Sequence, residues 1–123
     1  WATSNLGKPS AGDSALIYEG YLFQSDTDAP TVEWISNDGG ITMSYENAGE
    51  YAFNKVGLFD SSKTIFECPP FIDTDGDLGN SAALYEALAP DALMFRTFKI
   101  VTLWITQANN VLNKTYFKIT IKP

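Results

Sequence analysis

A chain of 123 residues, 45% hydrophobic and 14% aromatic, can bury one core without metal or disulfide staples and is too short for two independent domains. Its 15 acidic against 8 basic residues give a net charge of −7, which repels phosphate backbones and anionic lipid surfaces and so argues against nucleic-acid partners and membrane insertion. There is no histidine, the side chain most used for acid–base work near neutral pH, and the single cysteine excludes an intrachain disulfide.

Residues 1–13 carry Ser, Gly, Pro and Asn with little apolar periodicity and read as an N-terminal arm or linker, with 14–123 as one β-domain. Trp1 in place of a methionine reads as the mark of a processed chain or of a piece of a longer one. An aromatic side chain in such an arm is expected to dock on a neighbouring subunit or domain. The first strand is predicted over Ala15–Phe23, followed by a loop, Gln24–Pro30, with Asp26, Asp28 and Pro30 supplying turn chemistry. Thr31–Ile35 and Ile41–Tyr45 flank Ser36-Asn37-Asp38-Gly39-Gly40, a hairpin signal because Asp-Gly readily reaches positive φ. Asn47-Ala48-Gly49 makes a second turn into a strand over Glu50–Phe59, and Asp60-Ser61-Ser62-Lys63 leads to Thr64–Cys68. Five strands at this spacing predict an antiparallel meander.

Pro69-Pro70 ends that run, since neither proline donates to a ladder. Phe71–Leu93 reads as an interruption. Its Asn80-to-Leu88 stretch has good helix formers behind a cap, with Leu84 and Leu88 on one face, and predicts a short helix near 80–89 stopped by Pro90. Phe95–Thr106 is predicted as the longest strand, apolar on both faces and therefore central or covered by a partner. After an Asn-rich hairpin loop, Gln107–Lys114, the residues Thr115, Phe117, Ile119 and Ile121 alternate with polar ones, placing one face in the core and the other in water. The expected fold is an all-β, antiparallel β-sandwich of jelly-roll or Ig-like type, with about seven to eight strands by this count of runs and one short helix. Strand spacing does not separate a sandwich from a small barrel.

The chemistry-bearing motifs are few. Asp73, Asp75 and Asp77 alternate in a Gly-containing loop and would hold a calcium ion together with backbone carbonyls. The loop departs from an EF-hand at Leu78, where a turn glycine is needed, and at Leu84, where a glutamate is needed, so a solvated turn leading into the helix is the preferred reading and calcium the alternative. Cys68, beside Phe66, Pro69 and Pro70, reads as a small buried hydrophobe because no histidine is there to activate it. Single-cysteine usage fits cytosolic synthesis, and neither a signal-peptide pattern nor a run near the roughly 18 apolar residues of a bilayer span is visible. Glu19, Glu33, Glu46, Glu50, Glu67 and Glu86 supply carboxylates for a glycosidase, but nothing in the spacing sets two of them across a cleft. Gly39-Gly40 lies between strands rather than at a helix start, so it reads as a turn and not a phosphate cradle. Tyr18, Tyr21, Trp34, Tyr45, Tyr51 and Tyr116 are candidates for a sugar platform, against the alternative of core or subunit contact. Asn113-Lys114-Thr115 matches an N-glycosylation acceptor, relevant only on a eukaryotic secretory route. No cofactor is expected.

Asp28-Ala29-Pro30-Thr31-Val32, then Asn37-Asp38-Gly39-Gly40, Gly49-Glu50-Tyr51 and Asp60-Ser61-Ser62-Lys63-Thr64, together with the closing Val111–Thr115 and Phe117–Pro123 stretches, resemble a small β-domain. That domain is associated with fibre, spike and tail-associated virion proteins of tailed bacteriophages, especially those infecting Bacteroidetes. The likeness rests on turn chemistry over about two-thirds of the chain and leaves Phe71–Leu93 outside the pattern. It brings no catalytic residues. It implies a non-enzymatic structural protein at the virion surface, a homo-oligomer with trimers favoured, partnered by other virion proteins and by a host-surface glycan. Trp1, Trp34, Tyr51, Val101, Leu103 and Ile105 are the interface or ligand candidates, and the loops Gln24–Ala29 and Gln107–Lys114 would face the host. The alternative is a carbohydrate-binding β-sandwich module of a secreted or cell-surface protein, located outside the cell.

Overall fold

The computed structural model describes residues 14–72, 78–84, 90–101 and 104–123. They form an all-β fold with no helix among them. In chain order the strands are β1 (Leu16–Phe23), β2 (Thr31–Trp34), β3 (Thr42–Asn47), β4 (Glu50–Asn54), β5 (Thr64–Glu67), β6 (Phe71–Ile72), β7 (Leu78–Leu84), β8 (Ala92–Val101), β9 (Trp104–Gln107) and β10 (Asn113–Ile121). One four-stranded sheet has the order β2-β1-β10-β5; a six-stranded sheet has the order β3-β4-β8-β7-β6, with β9 also paired to β8. All pairings are antiparallel.

The two sheets face one another as a sandwich, and aromatic rings fill the space between them. Phe53 of β4 lies 5.0 Å from Phe117 of β10 and 5.1 Å from Phe95 of β8. Phe66 of β5 reaches across to Phe95 at 5.4 Å, and Trp34 meets Phe117 edge-on at 5.6 Å. These tilted, stacked and edge-on arrangements suit the ring quadrupole and add to the stabilisation from burial alone. Strand alternation sets which residues enter this layer. Tyr18, Gly20 and Leu22 on β1 and Thr115, Phe117, Ile119 and Ile121 on β10 are buried, and their neighbours face outward.

The period-two reading of 115–121 therefore holds, but several connections differ from expectation. The Asn37–Gly40 turn has the anticipated chemistry. Gly39 and Gly40 have φ of 60° and 75°, and the side chains of Asn37 and Asp38 accept from their amides at 3.1 and 2.9 Å. Yet β2 and β3 lie in different sheets, so this turn carries the chain across the sandwich rather than reversing it. The same holds for β9 and β10, where a hairpin was expected, and the first five strands are not a meander. Turn residues specify a local change of direction; which sheet receives the next strand is decided by the faces it must bury.

The helix expected near 80–89 is corrected for its first half. Asn80 to Leu84 belong to β7, paired with Phe98 to Met94 of β8, and 85–89 lie outside the described residues. Helix propensity separates these residue types by only tenths of a kcal/mol each, about 0–0.7, whereas each ladder hydrogen bond contributes about 0.5–1.5 kcal/mol net. The strand expected over Phe95–Thr106 is two strands, with Trp104 opposite Val101 and Gln107 opposite Phe98. A run with no Gly, Pro, Asn or Asp in it gives no signal for that reversal. The strand predicted over Glu50–Phe59 stops at Asn54, where Gly57 at φ 75° turns the chain and donates to Asp91 Oδ1 at 2.9 Å.

Candidate recognition surface

The two loops nominated by sequence, Gln24–Ala29 and Gln107–Lys114, meet at one end of the sandwich. What joins them is Gln24, an amide 6% exposed that continues the inward-facing series Tyr18, Gly20, Leu22. Its Oε1 accepts from the Tyr51 hydroxyl and from the Asn110 amide, both at 2.8 Å. Its Nε2 donates to the carbonyls of Asp26 at 2.7 Å and Asp28 at 3.1 Å, and its backbone amide donates to Leu112 O at 3.1 Å. The Asp26 amide in turn donates to Asn110 Oδ1 at 2.6 Å.

A third loop is drawn in at Gly49. Asn109 Oδ1 accepts from the Gly49 amide at 2.7 Å and from Tyr51 at 3.1 Å, while its Nδ2 donates to the Tyr45 hydroxyl at 3.1 Å. β8 changes partner here, from β4 to β9, and Thr97 spans the gap. Its amide donates to Gly49 O at 2.8 Å, its carbonyl accepts from Ala108, and its hydroxyl donates to Ala108 O at 2.8 Å. Gly49 has φ 70°, and a Cβ there would stand 2.6 Å from the Ala108 nitrogen, so only glycine permits this approach. A buried network in which each group has a partner is rigid. Burial pushes the Tyr51 hydroxyl up to a pKa of about 12.

Among the described residues, Asp26, Asn110 and Lys114 are the non-glycine residues at positive φ, at 48°, 61° and 52°. All three stand in these two loops. Lys114 occupies an irregularity in the β1–β10 register between Asn113 and Thr115, and its ammonium sits 5.6 Å from the centre of the Tyr21 ring. Tyr21 meets Tyr116 edge-on at 6.1 Å, and Tyr116 donates to Glu19 Oε2 at 2.5 Å. That bond to a carboxylate holds the Tyr116 hydroxyl at about 12. Phe23, two residues beyond Tyr21 on the same outer face, borders a hollow of about 100 Å³ lined also by Gln24, Ser25, Asp28, Ala29 and Thr31.

Tyr51 is fully buried within the chain, and Trp34 packs edge-on against Phe117; both are held by the core, and neither forms a surface platform. Tyr18 is likewise buried, its ring against Gly39. Ile105 is 70% exposed, opposite Ile100 on the outer face of the six-stranded sheet. Val101 pairs with Trp104 at the end of β8. Trp1, Leu103 and the calcium candidates Asp73, Asp75 and Asp77 lie outside the described residues. Among the described residues, no three acidic or cysteine side chains are grouped closely enough to hold a metal ion. Cys68 is half-buried.

Gln24, Asn109 and Asn110 were not singled out by sequence. The signal for Gln24 was available in the inward alternation of β1; that for Asn110 was the tolerance of asparagine for positive φ. No family model, curated protein or solved structure matches this chain.

Proposed function

We propose that this domain is a non-enzymatic structural module of a virion surface, a fibre, spike or decoration domain of the bacteriophage kind its turn motifs resemble. It assembles on copies of itself, as a trimer, and on neighbouring virion proteins, and leaves its loop end free for host attachment. The observation that carries this reading is the outer face of the six-stranded sheet. On β8, Leu93, Phe95 and Thr97 face the core, so Met94, Phe98 and Ile100 share the opposite face, and Ile105 beside Ile100 is 70% exposed. Arg96, bound to Glu50 Oε2 at 3.1 Å, is the charged residue in that row. An apolar strip on a sheet face is the surface that association buries. The sandwich is of the jelly-roll or Ig-like type on this reading, supported by the pairing of the first and last described strands at the centre of one sheet and by chain crossings between sheets.

Sedimentation velocity and native mass spectrometry at micromolar concentration test the assembly. The expected result is a discrete oligomer that Ile105→Asp converts to monomer without loss of β circular dichroism. A compact monomer for the unaltered protein overturns the reading.

A further inference from the structure

We infer that the loop end of the four-stranded sheet is a carbohydrate site that takes one residue of a neutral, hydroxyl-rich glycan in the hollow between Phe23, Asp28 and Thr31. This site lies on the sheet opposite the proposed assembly face and does not depend on assembly.

A pyranose presents an apolar C–H face and a polar edge, so its site needs an aromatic surface with hydrogen-bonding groups fixed beside it. Phe23 supplies the ring, half-buried on the outer face of β1. Ser25, Asp28 and Thr31, all exposed, line the same hollow, and their residue types offer a carboxylate and two hydroxyls there. Tyr21, one pleat away on the same face at about 6.7 Å along the strand, extends the surface with a phenol. Its ring is already flanked by the Lys114 ammonium and the edge of Tyr116, which leaves Phe23 as the principal stacking ring.

The rim is held in place before any ligand arrives. Gln24 grips the carbonyls of Asp26 and Asp28, the Asp28 amide donates to Ser25 O at 2.9 Å, and Asp26 is tied to Asn110 of the neighbouring loop. Pre-ordering of this kind removes much of the entropic cost of binding. The positive-φ backbone of Asp26 and Asn110 is held by the same network, and sparsely populated conformations gather at ligand clamps. Charge selects among sugars. Asp26, Asp28 and the overall −7 oppose uronic-acid or sulfated glycans, so the occupant is neutral. A hollow of about 100 Å³ holds only part of one ring, which makes affinity for a single sugar weak and for a polymer cumulative.

The test is affinity electrophoresis of the full chain through gels containing neutral polysaccharides (α-glucan, β-glucan, mannan, xylan, galactan) or acidic ones (polygalacturonate, heparin). It is followed by NMR titration with hexasaccharides of the retaining polymer. Retention on at least one neutral polymer is expected, weakened tenfold or more by Phe23→Ala and by Asp28→Ala and unchanged by Ile105→Asp. In the unaltered protein, shift changes centred on Phe23, Asp28 and Thr31 give the same answer without relying on the folding of a variant. No retention on any neutral polymer, retention by acidic polymers alone, survival of binding in both folded variants, or shift changes elsewhere would each overturn the inference. Sedimentation reads the assembly proposal separately, so either can fail alone.

Discussion

Replacing Gln24 with methionine keeps the length and most of the volume of the side chain while deleting its four amide hydrogen bonds. Each neutral bond contributes about 0.5–1.5 kcal/mol net, and the cost rises where a partner is left buried and unpaired. The partners fare differently. The Tyr51 hydroxyl keeps Asn109 Oδ1 at 3.1 Å, and the carbonyls of Asp26 and Asp28 and the amide of Asn110, all on exposed residues, can turn to water. The expected loss is therefore about 2–3 kcal/mol, below the simple sum of four bonds. Tyr51→Phe should cost less, about 1 kcal/mol, because Gln24 Oε1 retains the Asn110 donor and Asn109 Oδ1 retains Gly49. For a chain of this size these losses correspond to falls of about 10 °C and about 4 °C in Tm. Urea denaturation followed by tryptophan fluorescence measures both, and the double variant gives the coupling, expected at about 1 kcal/mol. If Gln24→Met costs no more than Tyr51→Phe, or if the two effects simply add, the network does not bind the loops together as described.

Two further predictions concern the same junction. Gly49→Ala should destabilise by about 3 kcal/mol, since strain at φ 70° is joined by a Cβ placed 2.6 Å from the Ala108 nitrogen. Gly57→Ala, at φ 75° with nothing within 4 Å, should cost only the strain, about 1 kcal/mol; equal losses in Tm would refute the contact argument. Alkaline pH should weaken the fold through Tyr51. Its folded pKa of about 12 lies above the ordinary 10.0, so the native state holds the proton more tightly, and stability present below pH 10.0 is lost as pH rises toward about 12. Denaturation midpoints across that window should fall less steeply in Tyr51→Phe, and an ultraviolet tyrosinate titration should show late-titrating groups, Tyr116 among them because of its bond to Glu19.

The sequence by itself determined the class of fold and most of the strands, because those follow from short-range physics. Alternation on Leu16–Phe23 and Asn113–Ile121 fixes which side chains enter the core, and glycine at Gly39, Gly40 and Gly49 fixes where the backbone takes positive φ. It also named the two loops that meet around Gln24 at one end of the sandwich. Tertiary structure decided the rest. Whether Asn37–Gly40 folds back or crosses over depends on which sheet has a face for β3 to complete, and the strand state of Asn80–Leu84 depends on the open edge of β8. Phe23 and Thr31 on the rim of the hollow are cross-strand partners within one hairpin, but Gln24, Tyr51 and Asn110 behind it, drawn from distant parts of the chain, share hydrogen bonds. A pattern of spacing records the neighbours of a residue along the chain; partners separated by 27 and 86 positions exist only once the sheets have closed.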